Sequence, residues 1–262
     1  MRTAELTGRA LATLSGRDKV TADRRLGLVP DAGVRDIGRV RGSSARYGQE
    51  HERTAQAPPG DDGGAGYWEE RYTGADQVWS GQPNGALVTE VTGLAPGRAL
   101  DVGCGEGADA VWLAAHGWDV TALDVSQVAL ERAAARARQA GVQVRWMHAG
   151  LVEAPLSPGA FDLVSAQYPA LRRSPGNEAE RVLLAAVAPG GLLLVVHHAD
   201  IDVEHARQHG FDPVDYVQPR DVAALLDDEW AVEVYETRRR AVQGGAGAHH
   251  TIDTVLRARR LS

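Results

Sequence analysis

Residues 98–126, RALDVGCGEGADAVWLAAHGWDVTALDVS, predict a strand, a glycine-rich turn, a helix and a second strand. A short apolar run ending at Val102 is typical of a buried parallel strand. The turn that follows contains three glycines, which let a ligand approach the backbone closely because they carry no side chain. Gly117 ends the helix, in the position that favours glycine. A second apolar strand follows at 119–123. This order is typical of an α/β sheet with parallel strands.

Asp101 and Asp124 lie at the carboxyl ends of these two strands, where ligands bind in open α/β sheets. The glycine spacing alone also satisfies the loose dinucleotide pattern. However, Asp101 and Glu106 place carboxylates beside the turn, and these would repel a pyrophosphate. A cofactor with an amino group, a sulfonium cation and a ribose would be attracted instead. We therefore expect S-adenosylmethionine, with Asp101 facing its methionyl amino group and Asp124 accepting from both ribose hydroxyls.

LDVGCGEG followed by DVTALDVS resembles the nucleotide-binding half of class I S-adenosylmethionine-dependent methyltransferases. The upstream segment 67–88, YWEERYTGADQVWSGQPNGALV, resembles the branch that includes tellurite-resistance and thiopurine S-methyltransferases. The resemblance runs from about Tyr67 to the C-terminus. It implies a Rossmann-like, doubly wound α/β sheet of seven strands. It also implies methyl transfer to a small-molecule acceptor, and suggests sulfur or a heavier chalcogen as the accepting atom.

We divide the chain at residue 66. Residues 1–66 show neither helical nor strand periodicity and end in APPGDDGGAG, so we expect a mobile tail and linker with a short helix at 4–14. Residues 67–262 should form the methyltransferase domain. Within it, Ser126 is a good N-cap for a helix that ends at Gly141. The segments 230–238 and 249–257 alternate enough to form a C-terminal antiparallel hairpin, which a nicotinamide-binding fold would not need.

The predicted cofactor site follows the carboxyl edge of this sheet. The resemblance implies an acidic residue after the third strand to accept from the adenine amino group, but this chain has Gly150 there. We therefore expect the backbone around Gly150 and Leu151 to hold the adenine. Trp79 is interpreted as part of a lid near the sulfonium, or alternatively as a core aromatic that pins its segment to the sheet. The full predicted set comprises Trp79, Asp101, Gly103, Gly105, Asp124, Val125, Gly150, Leu151 and Gln167.

The acceptor is expected over the end of the fourth strand. The candidates for substrate contact are Tyr67, Tyr168, His197 and His249. The histidines also have plainer explanations, because His197 adjoins His198 at a strand end where only one can point into a pocket, and His249 can bond loop carbonyls. Two adjacent histidines without a fixed third ligand do not indicate a metal site, so none is predicted. No catalytic residue is assigned, because in-line methyl transfer depends first on positioning.

Composition restricts the partners. A formal net charge of −7 argues against a general nucleic-acid-binding surface. No apolar run reaches the ~20 residues needed to cross a bilayer. Cys104 is the only cysteine, so no internal disulfide can form, which fits a reducing cytoplasm. We therefore expect a cytoplasmic enzyme with a small-molecule substrate and with neither nucleic acid nor membrane as a partner.

Two alternatives stay open. The first is a nicotinamide-dependent oxidoreductase. Short-chain reductases are excluded because they need a lysine four residues after a tyrosine, and Lys19, the only lysine, lies far upstream of the glycine turn. Other nicotinamide enzymes are disfavoured only by Asp101 and Glu106. The second is a non-catalytic module that binds S-adenosylmethionine, which the missing acid at Gly150 keeps open.

Overall fold

The computed structural model describes residues 64–208, 212–240 and 244–261. The predicted tail at 1–66 lies outside the described residues except for its last three positions, and so does the predicted helix at 4–14. Helix α1 already begins at Ala65. None of the described helices is long and apolar enough to cross a bilayer.

The seven strands form one sheet in the order β3-β2-β1-β4-β5-β7-β6. Strands β1 to β5 pair in parallel, whereas β7 pairs antiparallel with both β5 and β6. The doubly wound sheet and its C-terminal hairpin are therefore confirmed. The strands are β1 Arg98–Val102, β2 Asp119–Asp124, β3 Arg145–His148, β4 Phe161–Gln167, β5 Val187–His198, β6 Trp230–Arg239 and β7 Ile252–Arg260.

Seven α-helices are described, with one 3-10 turn at Pro213–Asp215. Ser126 caps α4 as predicted, because its hydroxyl accepts from the backbone N–H of Ala129 at 3.1 Å, and Gly141 ends that helix with φ 70°. The helices are α1 Ala65–Thr73, α2 Gly85–Val91, α3 Ala108–Ala115, α4 Gln127–Ala140, α5 Glu178–Ala186, α6 Val203–Gln208 and α7 Pro219–Ala223.

Both faces of the sheet are buried, as expected of a central parallel strand such as β5. Leu193 and Val195 of β5 pack into a core with α5 and α7. Leu194 and Val196, on the opposite face, pack into a second core with α2 and α3. This arrangement leaves the carboxyl ends of the parallel strands as the edge where side chains can face a ligand.

Strand β5 begins earlier than the predicted 191–197. Phe161 of β4 pairs with Val187, and Leu163 pairs with Leu192, so the intervening residues of β5 form a bulge. Gly190, with φ 76°, lies in that bulge. The Pro-Gly-Gly turn that the sequence predicts as a helix-to-strand connection is thus absorbed into an irregular strand.

Candidate functional site

A cavity of about 1110 Å³ opens at the carboxyl ends of β1, β2, β4 and β5. Small-molecule sites typically enclose ~300–1000 Å³, so this cavity can hold a cofactor with an acceptor beside it. Every residue predicted from the sequence for cofactor or substrate contact lines this cavity. The structure therefore brings the predicted set together, while the role of each residue remains a prediction.

The glycine turn after β1 needs glycine for two different reasons. Gly103, Gly105 and Gly107 all have positive φ, which L side chains rarely adopt. A Cβ on Gly105 would lie 2.7 Å from the Tyr72 hydroxyl, so the turn packs directly against α1. A Cβ on Gly103 would meet nothing within 4 Å, so this position leaves the cavity wall open to a ligand.

Asp101 is a buried carboxylate with one unpaired oxygen. Its residue is 2% exposed, and its Oδ2 atom accepts no hydrogen bond from the described part of the chain. Burial raises its pKa well above the usual value, and the nearby carboxylates of Asp109 and Asp124 raise it further. A cationic group placed in the cavity would relieve this arrangement, because an opposite charge favours the ionised form. This fits the methionyl amino group predicted to face Asp101.

Asp124, the last residue of β2, is held in a fixed orientation by the backbone. Its Oδ2 accepts from the N–H of Gly105 at 2.8 Å, and its Oδ1 accepts from the N–H of Ser126 at 2.9 Å. Burial raises its pKa, while these amide bonds act in the opposite direction. Each carboxylate oxygen can still accept a further bond. The geometry therefore fits the predicted acceptance from two ribose hydroxyls.

Glu106 does not act as the sequence suggests. The backbone N–H groups of Val78 and Trp79 donate to its carboxylate at 3.1–3.3 Å, and Arg132 pairs with it at 3.0 Å. Its charge is compensated inside the protein and anchors the 78–83 segment to the glycine turn. Of the two carboxylates that we held to repel a pyrophosphate, only Asp101 remains available to a ligand.

Trp79 combines both interpretations offered by the sequence. Its neighbour Val78 is buried with Tyr72 in a small apolar cluster, which pins the segment. The Trp79 indole N–H donates to the Tyr72 hydroxyl at 2.7 Å, and its ring lines the cavity. The 78–83 segment is thus fixed by Val78, while Trp79 lines the cavity.

Arg71 is a wall residue that the sequence reasoning missed. Its guanidinium carbon lies 5.6 Å from the ring centroids of both Trp68 and Trp79, and its Nη1 donates to the Tyr67 hydroxyl at 2.8 Å. Its Nε is buried and has no acceptor among the described residues. A guanidinium with a spare donor suits a carboxylate. The pattern of an arginine beside three aromatics in α1 was the available signal.

An acidic side chain lies beside Gly150, where the adenine is predicted to bind. The Glu153 carboxylate folds over Gly150 and occupies the space that a Cβ there would need. Both residues line the cavity together with Leu151. An acidic group is therefore present beside Gly150 after all, supplied from three residues further along. A comparison with the family pattern at position 150 alone could not find this acidic group.

Gln167 ends β4 with a free acceptor. Its amide nitrogen donates to the Ser165 hydroxyl at 3.1 Å, and its Oε1 is buried with no partner in the described ranges. Val125 lies between Asp124 and Ser126, and its backbone oxygen accepts from the His148 ring at 2.9 Å. Both residues stay predictions for cofactor contact.

Four rings form a column at the acceptor end of the cavity. Tyr168 stacks on His198 at 4.2 Å between ring centroids, His198 stacks on His250 at 4.1 Å, and His250 contacts His249 at 4.1 Å. Two carboxylates hold the column, since Tyr168 donates to Asp253 and His250 contacts another aspartate, Asp200, at 3.2 Å.

His197 and His198 both line the cavity, because β5 ends at His198 and the cavity extends around the strand end. Burial lowers the pKa of His197 and of His250 to about 4 in each case, so both rings are neutral near pH 7. No group of three or more metal-ligating side chains is arranged for a metal ion in the part of the chain that the structure describes.

Comparison with known proteins agrees with this geometry. Residues 99–191 match the model of a family described as a methyltransferase domain. These residues are therefore similar to a methyltransferase domain, and the match covers less than half of the chain. The match covers the glycine turn, Asp101 and Asp124, the residues from which the cofactor was predicted. That prediction of enzyme class and cofactor is confirmed, whereas the tellurite and thiopurine branch is not shown.

Three curated relatives match with 32–35% identity. A ribosomal RNA small subunit methyltransferase C of Alcanivorax borkumensis is 35% identical over 40% of this chain and 34% of its own length. An uncharacterized methyltransferase of Mycobacterium bovis is 35% identical over 46% of this chain and 61% of its own. The 27-O-demethylrifamycin SV methyltransferase of Amycolatopsis mediterranei is 32% identical over 55% and 57%. The methyltransferase domain thus spans less than two thirds of each relative.

Solved structures share the fold. One, from work on the conversion of a disulfide bond into a thioacetal group during echinomycin biosynthesis, has a TM-score of 0.61 and 23% identity, and covers 75% of this chain and 92% of its own. A methyltransferase of Methanosarcina mazei has a TM-score of 0.53 and 17% identity, and covers 66% and 97%. At these identities, the likeness concerns the fold alone.

Proposed function

We propose that this protein transfers the methyl group of S-adenosylmethionine to a small-molecule acceptor bound in the same cavity. The observation that carries the proposal is the buried Asp101 carboxylate, whose Oδ2 has no partner in the described ranges, beside the open face of Gly103. A protein gains nothing from an unpaired buried charge unless a ligand compensates it. The positively charged amino group of S-adenosylmethionine, placed beside the glycine turn, supplies that compensation. A diphosphate does not, because it is negatively charged.

The cofactor supplies an electrophilic methyl group on a sulfonium. Asp101 would bind its amino group, and Arg71 would bind its carboxylate through the unpaired Nε. Asp124 would accept from the ribose hydroxyls while the Gly105 and Ser126 amides fix its orientation. These contacts set the direction in which the sulfonium points, and displacement requires the nucleophile to approach opposite the sulfur.

The adenine would lie against the backbone of Gly150 and Leu151. The Glu153 carboxylate is placed to accept from the adenine amino group, which restores the acid that the sequence seemed to lack. Trp79 would cover the cofactor from the α1 side, where an aromatic face stabilises a nearby cation by ~0.5–2 kcal/mol. Gln167 Oε1 would accept from the methionyl end.

A small acceptor fits better than a nucleic acid. One matched relative is named for ribosomal RNA and another for a rifamycin, so the relatives support both classes. The net charge of −7 disfavours a polyanion, and the cavity extends to the Tyr168 column, where Tyr67, His197 and His249 would contact the acceptor. The resemblance of 67–88 makes sulfur and chalcogen acceptors an early choice for testing. We also propose a cytoplasmic location, with residues 1–66 as a tail.

The test has two stages. Calorimetry should detect binding of S-adenosylhomocysteine and no comparable binding of NADH. A labelled-methyl assay should then detect transfer to one class within a panel of thiols, tellurite and aromatic hydroxyls. Tight NADH binding without S-adenosylhomocysteine binding would overturn the cofactor assignment. Cofactor binding without transfer to any acceptor would favour the non-catalytic module.

A further inference from the structure

Three side chains from three strand ends meet beside the glycine turn. Tyr168 follows β4, His198 ends β5, and Asp253 lies in β7. The Tyr168 hydroxyl donates to Asp253 Oδ2 at 2.8 Å, and Asp253 Oδ1 lies 3.5 Å from His198 Nδ1. Tyr168 and Cys104 of the glycine turn both pack against the same apolar core. Tyr168 and His198 line the cavity together with that turn.

The Asp253 carboxylate faces the His198 ring. Asp253 is 3% exposed, its Oδ1 lies 3.5 Å from His198 Nδ1, and neither atom has a hydrogen-bond partner in the described ranges. A buried carboxylate facing Nδ1 favours the tautomer with the proton on that nitrogen. The lone pair then resides on Nε2. Stacking of Tyr168 and His250 at 4.2 and 4.1 Å prevents the ring from turning away.

The backbone at Tyr168 is strained. Its φ of 52° lies in the left-handed region, which L side chains other than asparagine and aspartate rarely adopt. The Tyr168 N–H donates to Val196 of β5 at 2.8 Å, and this bond together with the Asp253 contact fixes the conformation. Strain of this kind is concentrated at functional sites.

We propose that His198 is the general base of the methyl transfer and that the acceptor is a hydroxyl compound whose proton His198 removes. This inference rests on the proposed function. As the acceptor oxygen forms its bond to the methyl carbon, the carbon–sulfur bond breaks and its electron pair stays on sulfur. The hydroxyl proton passes to His198 Nε2, and Asp253 stabilises the imidazolium that results. Asp253 and Tyr168 are positioning residues.

The charges around His198 suit this role. Asp253 faces it from β7, Arg240 lies 4.6 Å over the Tyr168 ring at the end of β6, and Asp200 contacts the stacked His250. His197 precedes it on β5. Burial lowers the pKa of His198, while Asp253 acts in the opposite direction. The ring is therefore neutral near pH 7 and able to accept a proton.

A thiol acceptor provides the discriminating comparison. A hydroxyl keeps its proton near neutral pH, whereas an aromatic thiol ionises readily and needs no base. Catechol and thiophenol are therefore suitable probes for the full chain. His198→Gln keeps a polar side chain of similar size but cannot act as the base. His116→Gln is the matched control, because His116 is exposed at the end of α3, where its ring bonds the Trp112 carbonyl and stacks on the Trp112 ring.

We expect His198→Gln to lower kcat with catechol by ~10²–10⁴-fold, the range for loss of a general base. With thiophenol it should change kcat by less than about threefold. S-adenosylhomocysteine affinity should match the wild type, and His116→Gln should behave as wild type throughout. The rate of the wild type with catechol should rise with pH as His198 loses its proton. This rise should be absent in His198→Gln.

A second readout does not depend on turnover. Imidazole nitrogen NMR of the unliganded protein should show His198 with its proton on Nδ1, and Asp253→Asn should shift that equilibrium and lower the pKa of His198. The assignment of His198 as the general base would be overturned by equal losses of kcat with both probes, or by no loss with either. It would also be overturned if the wild type transferred the methyl group to thiophenol alone. Absence of S-adenosylhomocysteine binding, or transfer to neither probe, would instead refute the proposed function and this inference with it.

Discussion

Replacing Asp101 with asparagine should change stability and cofactor affinity in opposite directions. The substitution keeps the shape of the side chain and removes the charge of a buried carboxylate whose Oδ2 has no partner in the described structure. In the protein alone that charge is unfavourable, because burial and the neighbouring carboxylates oppose it. With the cofactor bound, the same charge should be favourable. Asp101→Asn therefore separates a binding role from a structural one.

The magnitudes follow from the contacts. A buried polar group without a partner costs ~1–3 kcal/mol, and more when charged, so the variant without ligand should gain about 1–3 kcal/mol in free energy of unfolding. A hydrogen bond to a charged group contributes ~1.5–3 kcal/mol, which is an affinity loss of about 10- to 150-fold. Urea unfolding without ligand and calorimetry with S-adenosylhomocysteine measure the two effects separately.

The pH dependence gives a third measurement. Because the pKa of Asp101 is raised in the folded state, that state binds more protons than the unfolded one between the usual aspartate pKa and the raised value. This residue therefore makes stability fall as pH rises through that window, and Asp101→Asn should reduce the fall. Cofactor binding lowers the same pKa, so within the window it should release protons in the wild type and fewer in the variant.

Asp119→Asn is the matched control. Asp119 is the exposed first residue of β2, at the opposite edge of the sheet from the cavity. It should change neither S-adenosylhomocysteine affinity nor proton release. If Asp101→Asn lowers the stability of the unliganded protein and leaves affinity unchanged, Asp101 is a structural group and the reasoning from its unpaired charge fails.

Three further predictions concern the same turn. Glu106→Gln should destabilise the protein by ~1.5–3 kcal/mol in urea unfolding, because Arg132 loses its carboxylate partner; a change under 0.5 kcal/mol would contradict the anchoring role. Gly107→Ala should cost ~1–3 kcal/mol, since its Cβ would lie 2.6 Å from that of Ala133 at a φ of 78°, and thermal unfolding measures this. Asp124→Ala should weaken S-adenosylhomocysteine binding by ~1.5–3 kcal/mol in calorimetry; unchanged affinity would show that the ribose is held elsewhere.

The part of the site that depends on short-range sequence could be predicted. Asp101 and Asp124 end apolar strands, and the glycines lie directly between strand and helix, so their positions in the fold follow from neighbouring residues. Parallel strands place their carboxyl ends at one edge, which is why residues from four strands met in a single cavity. Periodicity and turn chemistry suffice for this level of prediction.

Contacts between distant segments could not be predicted in the same way. Tyr168 and Asp253 are 85 residues apart in the chain, and their bond depends on the register of β7 against β5. Glu106 was misjudged because nothing local shows that the amides of Val78 and Trp79, 28 and 27 residues earlier, would reach it. Glu153 was missed for a related reason, since its side chain folds back over Gly150.

The Glu106 anchor has a kinetic consequence. Because one carboxylate secures both the glycine turn and the backbone that bears Trp79, these two walls form a single rigid body. Moving the backbone that bears Trp79 outward therefore requires breaking the contacts of a buried carboxylate. The residence time of a bound ligand should accordingly respond to changes at the Glu106 contacts.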